Sequence, residues 1–257
     1  MKDQVHHSAA AGFKTGADSY VKGRPDYPPP VADWLTGTLG LNADKTVIDL
    51  GAGTGKFTGR LVATGAQVIA VEPVAQMLEK LSLAYPDVLA VSGTAADLPL
   101  PDASVDVVLC AQAFHWFAST EALTEIARVL KPGGKLGLVW NLRDAKVSWM
   151  PKLDAIISAL EGDTPRYYTG AWRRAFPHEK FGPLQAQHFS HAHTGSPEDV
   201  IFNRVRSISF IAALPEAQRA KVDEQLRMLI AGEPELRGKD RLTVPYETVA
   251  FVAVKGS

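Results

Sequence analysis

The chain has 257 residues, 46% apolar and 21% charged, an ordinary globular make-up that excludes disordered, collagen-like and coiled-coil classes. Its 27 Lys and Arg balance 28 Asp and Glu for a net charge of −1, which leaves no cationic excess to grip a phosphate backbone. At roughly 150 residues per domain, this length predicts one large domain or one domain with an elaboration. The single cysteine, Cys110, excludes an intrachain disulfide and fits a reducing compartment. No apolar run reaches the roughly 20 residues of a bilayer span, and MKDQVHHSAAAGF lacks the apolar centre of a secretory signal. A cytoplasmic monomer or homodimer is expected.

In chain order, Asp18 to Pro30 (DSYVKGRPDYPPP) is proline-rich and predicts irregular structure. A short helix is predicted over Val31 to Leu39, ending near Gly40. TVIDL (46–50) reads as a strand that breaks into GAGTG, followed by a helix over Lys56 to Thr64. QVIAVE (67–72) is a second strand, and Pro73 to Ala84 a helix with proline at its start. VLAVSG (88–93) and VDVVLCA (105–111) are the next strands; Thr120 to Leu130 is a helix closed by LKPGG, and KLGLVWN (135–141) a fifth strand. These runs are apolar rather than alternating, as in strands buried on both faces of a parallel sheet. Strands alternating with short helices give an α/β fold with an open, doubly wound, mostly parallel sheet.

After Asn141 the rhythm fails. Residues 143–183 are aromatic and helix-prone, predicting a helical insertion between late strands. A strand is predicted at about 184–193, amphipathic helices over Glu198 to Ile211 and Pro215 to Ile230, and a closing strand centred on Thr248 to Val254. The sheet then has seven strands in a single domain. Its parts are a core of about 18–141, the insertion of about 143–183, and C-terminal helices and closing strands of about 184–257.

Asp49-Leu-Gly51-Ala52-Gly53-Thr-Gly55 lies where the first strand meets a helix, the ligand-binding end of an open α/β sheet. Glycines let a ligand approach the main chain, and the helix start offers unpaired N–H groups. Glu72 ends the next strand, about 20 residues on, where a carboxylate can accept from both hydroxyls of a ribose. The dinucleotide pattern G-x-G-x-x-G fails because its third glycine is Lys56, and no GK[ST] closes a P-loop. Asp49 would repel a pyrophosphate but suits an ammonium, so a ligand with a ribose at one end and an amino acid at the other fits better.

VIDLGAGTG, VEP and LKPGG, in this order, resemble class I S-adenosylmethionine-dependent methyltransferases, with a Rossmann-like fold. SYVKGRPDYP (19–28), QAFHWF (112–117) and VPYET (244–248) resemble the small-molecule subgroup that includes trans-aconitate methyltransferases. The resemblance implies methyl transfer from S-adenosylmethionine to a small-molecule acceptor, releasing S-adenosylhomocysteine. It implies that the glycine loop holds the methionyl part, Glu72 the ribose, and Pro73 and Met77 the adenine faces. Gly93-Thr94-Ala95-Ala96 would meet the adenine edge through main-chain groups, since many relatives have Asp and Glu where Thr94 and Ala96 stand. Tyr20 and Arg24 would close over the methionyl end, Arg24 near its carboxylate.

Gln112-Ala-Phe-His115-Trp116-Phe117 follows the fourth strand, beside the expected sulfonium, where aromatic faces attract a cation. His115 is the candidate general base because its unperturbed pKa is near neutral. A carboxylate or thiolate acceptor would need no base; an alcohol or phenol would. Trp149, Tyr167, Tyr168 and Trp172 are candidates for an acceptor pocket, with Arg143, Arg173, Arg174 or Arg206 placed for an anionic group. His188, His191 and His193 alternate along a strand, but no further ligands complete a zinc site, and no metal is expected. No NPPY-type tetrapeptide follows the fourth strand and no G-x-S-x-G occurs, so nucleic acid amino-methylation and serine hydrolysis lack their motifs. RNA or protein methylation, and a non-catalytic binding module, stand as alternatives; no nucleic acid or membrane partner is expected.

Overall fold

Residues 23–256 are described by the structure, a computed structural model. The β-branched runs form β1 (Thr46–Leu50), β2 (Gln67–Val71), β3 (Leu89–Val91) and β4 (Val105–Ala111), followed by β5 (Leu130–Arg143), β6 (Gln185–Gly195) and β7 (Leu242–Val254). Among the described residues they build one seven-stranded sheet of order β3-β2-β1-β4-β5-β7-β6. Pairing is parallel from β3 through β5, whereas β7 runs antiparallel to both β5 and β6. The expected doubly wound sheet is therefore mixed. β5 and β7 are longer than expected: they pair with each other from Lys135–Val254 to Arg143–Tyr246, Leu242 to Pro245 of β7 pair with β6, and Leu130 of β5 pairs with Val105 of β4.

Side chains alternate across this sheet. Ile48, Val108, Cys110, Leu138 and Trp140 pack on one face with helix α4 (Thr120–Val129), through Leu123, Ile126 and Val129. Val47, Val107, Leu109 and Val139 pack on the other with Trp34, Leu35 and Leu61. Two layers of helices over buried strands explain why the runs read as continuously apolar. Ser119 caps α4, its Oγ accepting from the Ala122 amide at 3.1 Å.

The stretch of about 143–183, expected as a helical insertion, begins with the last residue of β5 and holds one α-helix (Met150–Ser158) and short 3-10 segments at Tyr167–Thr169 and Ala171–Ala175. The helix packs through Met150, Leu153 and Ile157 against Val200, Val205, Val222 and Leu226, which come from between β6 and β7. The long helix there, Glu216–Gly232, agrees with the sequence. The stretch expected as one amphipathic helix over 198–211 is instead a π-helix (Glu198–Asn203), a turn of α-helix (Arg204–Arg206) and a separate turn (Ser209–Ala212). Among the described residues, no helix is long and apolar enough to cross a membrane.

A proline-rich arm, residues 23–28, crosses from this helical part to the sheet. Arg24 Nη2 donates to Ser207 O at 3.2 Å, Arg60 Nη2 to an Asp26 carboxylate oxygen at 2.7 Å, and Asn141 Nδ2 to Asp26 O at 3.0 Å. Tyr27 packs edge-on against Phe57, centroids 4.6 Å apart. At Gly23 nothing larger fits: an added Cβ would lie 2.3 Å from the Asn203 carbonyl carbon and 2.4 Å from the Arg204 nitrogen. Both are backbone atoms that cannot swing aside. Gly23→Ala is expected to destabilise the fold by about 1–3 kcal/mol, the usual effect of overpacking, and to speed amide exchange over residues 23–28. Equal denaturant midpoints and exchange rates in variant and parent would show that the arm does not seat there.

Candidate functional site

At β1 the strand order turns back: the chain runs from β1 outward through β2 to β3, then returns to the other side of β1 as β4. In open α/β sheets the loops leaving such a reversal part in opposite directions, and the crevice between them binds ligands. Here that crevice is a cleft of about 470 Å³, part of it open solvent. Asp49, Gly51 and Ala52 line it from the end of β1, Ala111 and Gln112 from β4, and Asn141 from β5. Arg24, Pro25 and Tyr27 of the arm, Lys56 and Phe57, and Arg204 complete the wall.

The glycine loop has the expected geometry. Gly51, Gly53 and Gly55 have φ of +71°, +59° and +86°, the left-handed region that disfavours side chains. An added Cβ at Gly51 would also meet Ala113 Cβ at 2.7 Å. The Gly51 and Ala52 amides bond to Val71 O at 2.8 and 3.3 Å, which fixes the loop to β2. Glu72 is buried at the end of β2 and accepts from the Gly53 amide at 2.9 Å and the Val74 amide at 2.9 Å, one on each carboxylate oxygen. Burial raises its pKa, against the lowering effect of these two bonds. A carboxylate has about four acceptor positions, so two remain for hydroxyl donors.

Asp49 is 1% exposed. Its Oδ2 accepts from Thr58 Oγ1 at 2.7 Å, while Oδ1 is enclosed without a partner. Burial pushes its pKa up to about 7; the Thr58 bond opposes this and the charge of Glu72 adds to it. An enclosed acceptor in a cleft wall is the complement of a cationic donor, and an ammonium fits it.

The residues expected around an adenine lie at the same edge of the sheet, outside the cleft lining. Pro73 is partly buried, Met77 is 3% exposed and Ala95 is 4% exposed. Thr94 and Asp97 close a turn by reciprocal main-chain bonds of 3.4 and 3.2 Å, with Ala95 and Ala96 at its tip. Tyr20 lies outside the described residues.

Beyond β4, Gln112 has φ +60°, an uncommon conformation for a side-chain-bearing residue and one that turns up at functional sites. His115 follows in a 3-10 turn (Phe114–Trp116), and its Nδ1 accepts from Trp140 Nε1 at 3.1 Å. An indole nitrogen can only donate, so Nδ1 carries the lone pair and the ring proton sits on Nε2. Burial, then the charges of Arg166 and Arg24, push the His115 pKa down to about 3. The ring is therefore neutral, with Nε2 as its donor. In this arrangement the Nδ1 lone pair, which the expected general-base role would use, is engaged by Trp140, and His115 is not among the residues that line the cleft.

Several expected pocket residues are spent elsewhere. Trp149 and Trp172, each 2% exposed, belong to hydrophobic cores. Trp172 stacks with Trp140 and Tyr167 at centroid distances of 4.8 and 5.7 Å. Arg143 is buried and ion-paired to Asp154, and Arg206 is paired to Glu198 and Asp223. Arg173 lies over Trp172 at 4.5 Å, and Arg174 is exposed. His188 is exposed beside Glu247, and no cluster of three metal-ligating side chains occurs among the described residues.

Pro25, Tyr27, Lys56, Phe57, Ala111, Asn141 and Arg204 line the cleft without having been recognised as site residues in the sequence, and Asn141, Lys56 and Arg204 matter most for its chemistry. Asn141, 7% exposed, donates to Asp26 O and accepts from Thr248 Oγ1 at 2.6 Å; its signal was a lone amide ending an apolar strand. Lys56 was noticed only as a missing glycine. Arg204 gave no signal, because Arg206 looked equivalent to it.

A family model described as a methyltransferase domain matches residues 48–138. An uncharacterized methyltransferase-like protein of Schizosaccharomyces pombe is 40% identical over 95% of this chain and 95% of its own. An uncharacterized methyltransferase of Mycobacterium tuberculosis is 42% identical over 94% of each. A solved putative type II methyltransferase from Anaeromyxobacter dehalogenans shares the fold, with a TM-score of 0.60 and 23% identity over 91% of this chain and 97% of that one. With whole-length relatives of this kind and a glycine loop at the β1–β4 reversal, the chain belongs to the S-adenosylmethionine-dependent methyltransferases.

Proposed function

We propose that the cleft binds S-adenosylmethionine by its amino-acid end and transfers its methyl group to a small-molecule acceptor. The observation that carries this reading is the enclosed, unpartnered Oδ1 of Asp49 under the glycine loop. Asp49 would receive the ammonium, Arg24 the carboxylate and Glu72 the ribose hydroxyls. Pro73 and Met77 would flank the base, and main-chain groups of Thr94, Ala95 and Ala96 its edge; Gly51, Ala52, Gly53 and Gly55 would leave room for the methionyl chain. When bound, the sulfonium supplies an electrophilic methyl carbon: the acceptor's lone pair forms the new bond and the carbon–sulfur pair returns to sulfur.

This chain's own part is positioning, which dominates a single in-line displacement. Gln112 and Asn141 wall the reacting end. His115 would donate from Nε2 to an oxygen of the acceptor and hold it in line. An anionic oxygen nucleophile needs no base, which agrees with a histidine whose Nδ1 lone pair is engaged. A small acceptor is favoured over RNA by the balanced charge, and it agrees with the resemblance to the trans-aconitate subgroup. Residues 144–184 and the π-helical segment would roof the acceptor side.

Three outcomes test the assignment. Glu72→Ala is expected to weaken S-adenosylhomocysteine binding by about 1–3 kcal/mol in calorimetry, and full affinity would remove Glu72 from the site. Because an ammonium needs Asp49 ionised, S-adenosylhomocysteine affinity should rise from about pH 5.5 to about pH 8, by up to about tenfold per pH unit below 7. 5′-Methylthioadenosine, which lacks the amino acid, should show no such rise, and Asp49→Asn should flatten it. Without ligand the sign reverses. A carboxyl raised from 3.8 to about 7 favours the folded state most below its unfolded value, and this contribution fades as pH climbs toward 7. Finally, nitrogen-15 NMR should show His115 as the neutral Nε2–H tautomer down to about pH 5; titration near 6.5 would restore it as a base.

A further inference from the structure

Among the described residues Arg204 forms no ion pair; the Tyr246 hydroxyl is the polar group of the fold that acts on it. Arg204 lines the cleft, yet its Nε and Nη1 are shut off from water and find no hydrogen-bond partner among the described residues. Neighbouring Arg206 takes both available carboxylates, Glu198 and Asp223. Lys56 lines the same cleft, and the carboxylate that acts on it, Asp26, is itself paired to Arg60 at 2.7 Å. His193 feels the charges of both Lys56 and Arg204, and its Nε2 is likewise enclosed without a partner. Burial brings the Arg204 pKa down to about 10, helped by the charges of Arg24 and Arg143 and opposed by Tyr246, so the guanidinium stays charged at neutral pH.

Charge arithmetic then points to a ligand. The cleft carries Arg24, Lys56 and Arg204 against Asp49. The cofactor adds a sulfonium, an ammonium and a single carboxylate, so it deepens the positive excess instead of cancelling it. One cation answers that carboxylate; two stay unmatched. An uncompensated buried charge is strongly unfavourable unless something binds it. The chain also interrupts its helix to present this group: a π-helix immediately precedes Arg204, an irregularity that recurs at functional sites.

We propose that Arg204 and Lys56 form an anion subsite that holds a carboxylate or phosphate group of the methyl acceptor beside the cofactor. This rests on the methyltransferase reading of the same cleft. A guanidinium offers a two-pronged fork that suits either oxyanion, and the ammonium of Lys56 adds a point charge. The acceptor is thereby an acid or a phosphate ester, and a cationic amine acceptor is disfavoured.

The test begins with calorimetric titration of S-adenosylhomocysteine; no binding would overturn the cofactor reading, and anion titration of the unliganded protein would then judge the subsite alone. In protein saturated with S-adenosylhomocysteine, succinate and inorganic phosphate serve as probes, and binding of either supports the subsite and tells carboxylate from phosphate. Arg204→Met should weaken the bound probe by at least about tenfold, and Lys56→Met by at least about threefold, with S-adenosylhomocysteine affinity held within about threefold. The unliganded Arg204→Met protein should melt no lower than the parent, because an unpaired buried charge has been removed. Two results overturn the proposal: neither probe binds the loaded parent, or Arg204→Met weakens S-adenosylhomocysteine as much as the probe while sparing 5′-methylthioadenosine. The second would make the cofactor's own carboxylate the partner of Arg204. If Arg204→Met fails to fold, unchanged probe affinity in Lys56→Met overturns the proposal by itself.

Discussion

Charges buried without their counter-ions govern this cleft. Asp49 and Arg204 both line it, and each keeps polar atoms enclosed and unpartnered. Had the chain let them meet, a buried ion pair would close the space and leave nothing to bind. They are held apart by rigid elements: Asp49 by β1, paired on both sides, and Arg204 by the π-helix and the turn of helix that follows it. The cost appears in the two pKa values, Asp49 pushed up to about 7 and Arg204 down to about 10, each toward its neutral form. A ligand that brings an ammonium to one side and anionic oxygens to the other relieves both.

The scaffold makes such an arrangement possible because main-chain groups, not side chains, fix the loops. Glu72 ties the Gly53 amide to the Val74 amide, so the loops after β1 and β2 move as one body. Asn141 joins β5 to the arm through Asp26 O and to β7 through Thr248. The arm in turn reaches Arg60 on one side and Ser207 on the other. Arg24 therefore sits in a span anchored at both ends, which is what a residue closing over a ligand requires.

Much of the fold was legible in the sequence, and the failures have specific causes. TVIDL and VDVVLCA are strands to the residue, because both faces are buried and apolarity marks their limits directly. β5 and β7 run past their apolar centres; their ends are held by pairing with each other and with β4 and β6, long-range contacts that composition does not encode. Asp49, the glycines and Gln112 were found because a strand-to-loop break announces itself. Lys56 and Arg204 were missed for a different reason. Two residues apart on a helix, Arg204 and Arg206 face opposite ways, but the sequence does not say which faces inward; in the structure Arg204 lines the cleft while Arg206 meets Glu198 and Asp223. The aromatic residues misled in the opposite sense: Trp149 and Trp172 looked like pocket walls and are core.

That misreading bears on how the protein chooses what it methylates. With Trp140 and Trp172 stacked inside the sheet's own core, the cleft wall is left to Arg24, Lys56, Gln112, Asn141 and Arg204, with Phe57 and Tyr27 as its aromatic part. A wall of this kind discriminates by charge and hydrogen bonding more sharply than an apolar slot can, because a wrong ligand leaves polar groups unmatched in a place water reaches poorly. Trp140 reaches out of the core to hold Nδ1 of His115, which leaves Nε2 as the donor of that ring. Selection and alignment of an already nucleophilic oxygen, with no proton to remove, is the work such a wall and such a histidine can do together.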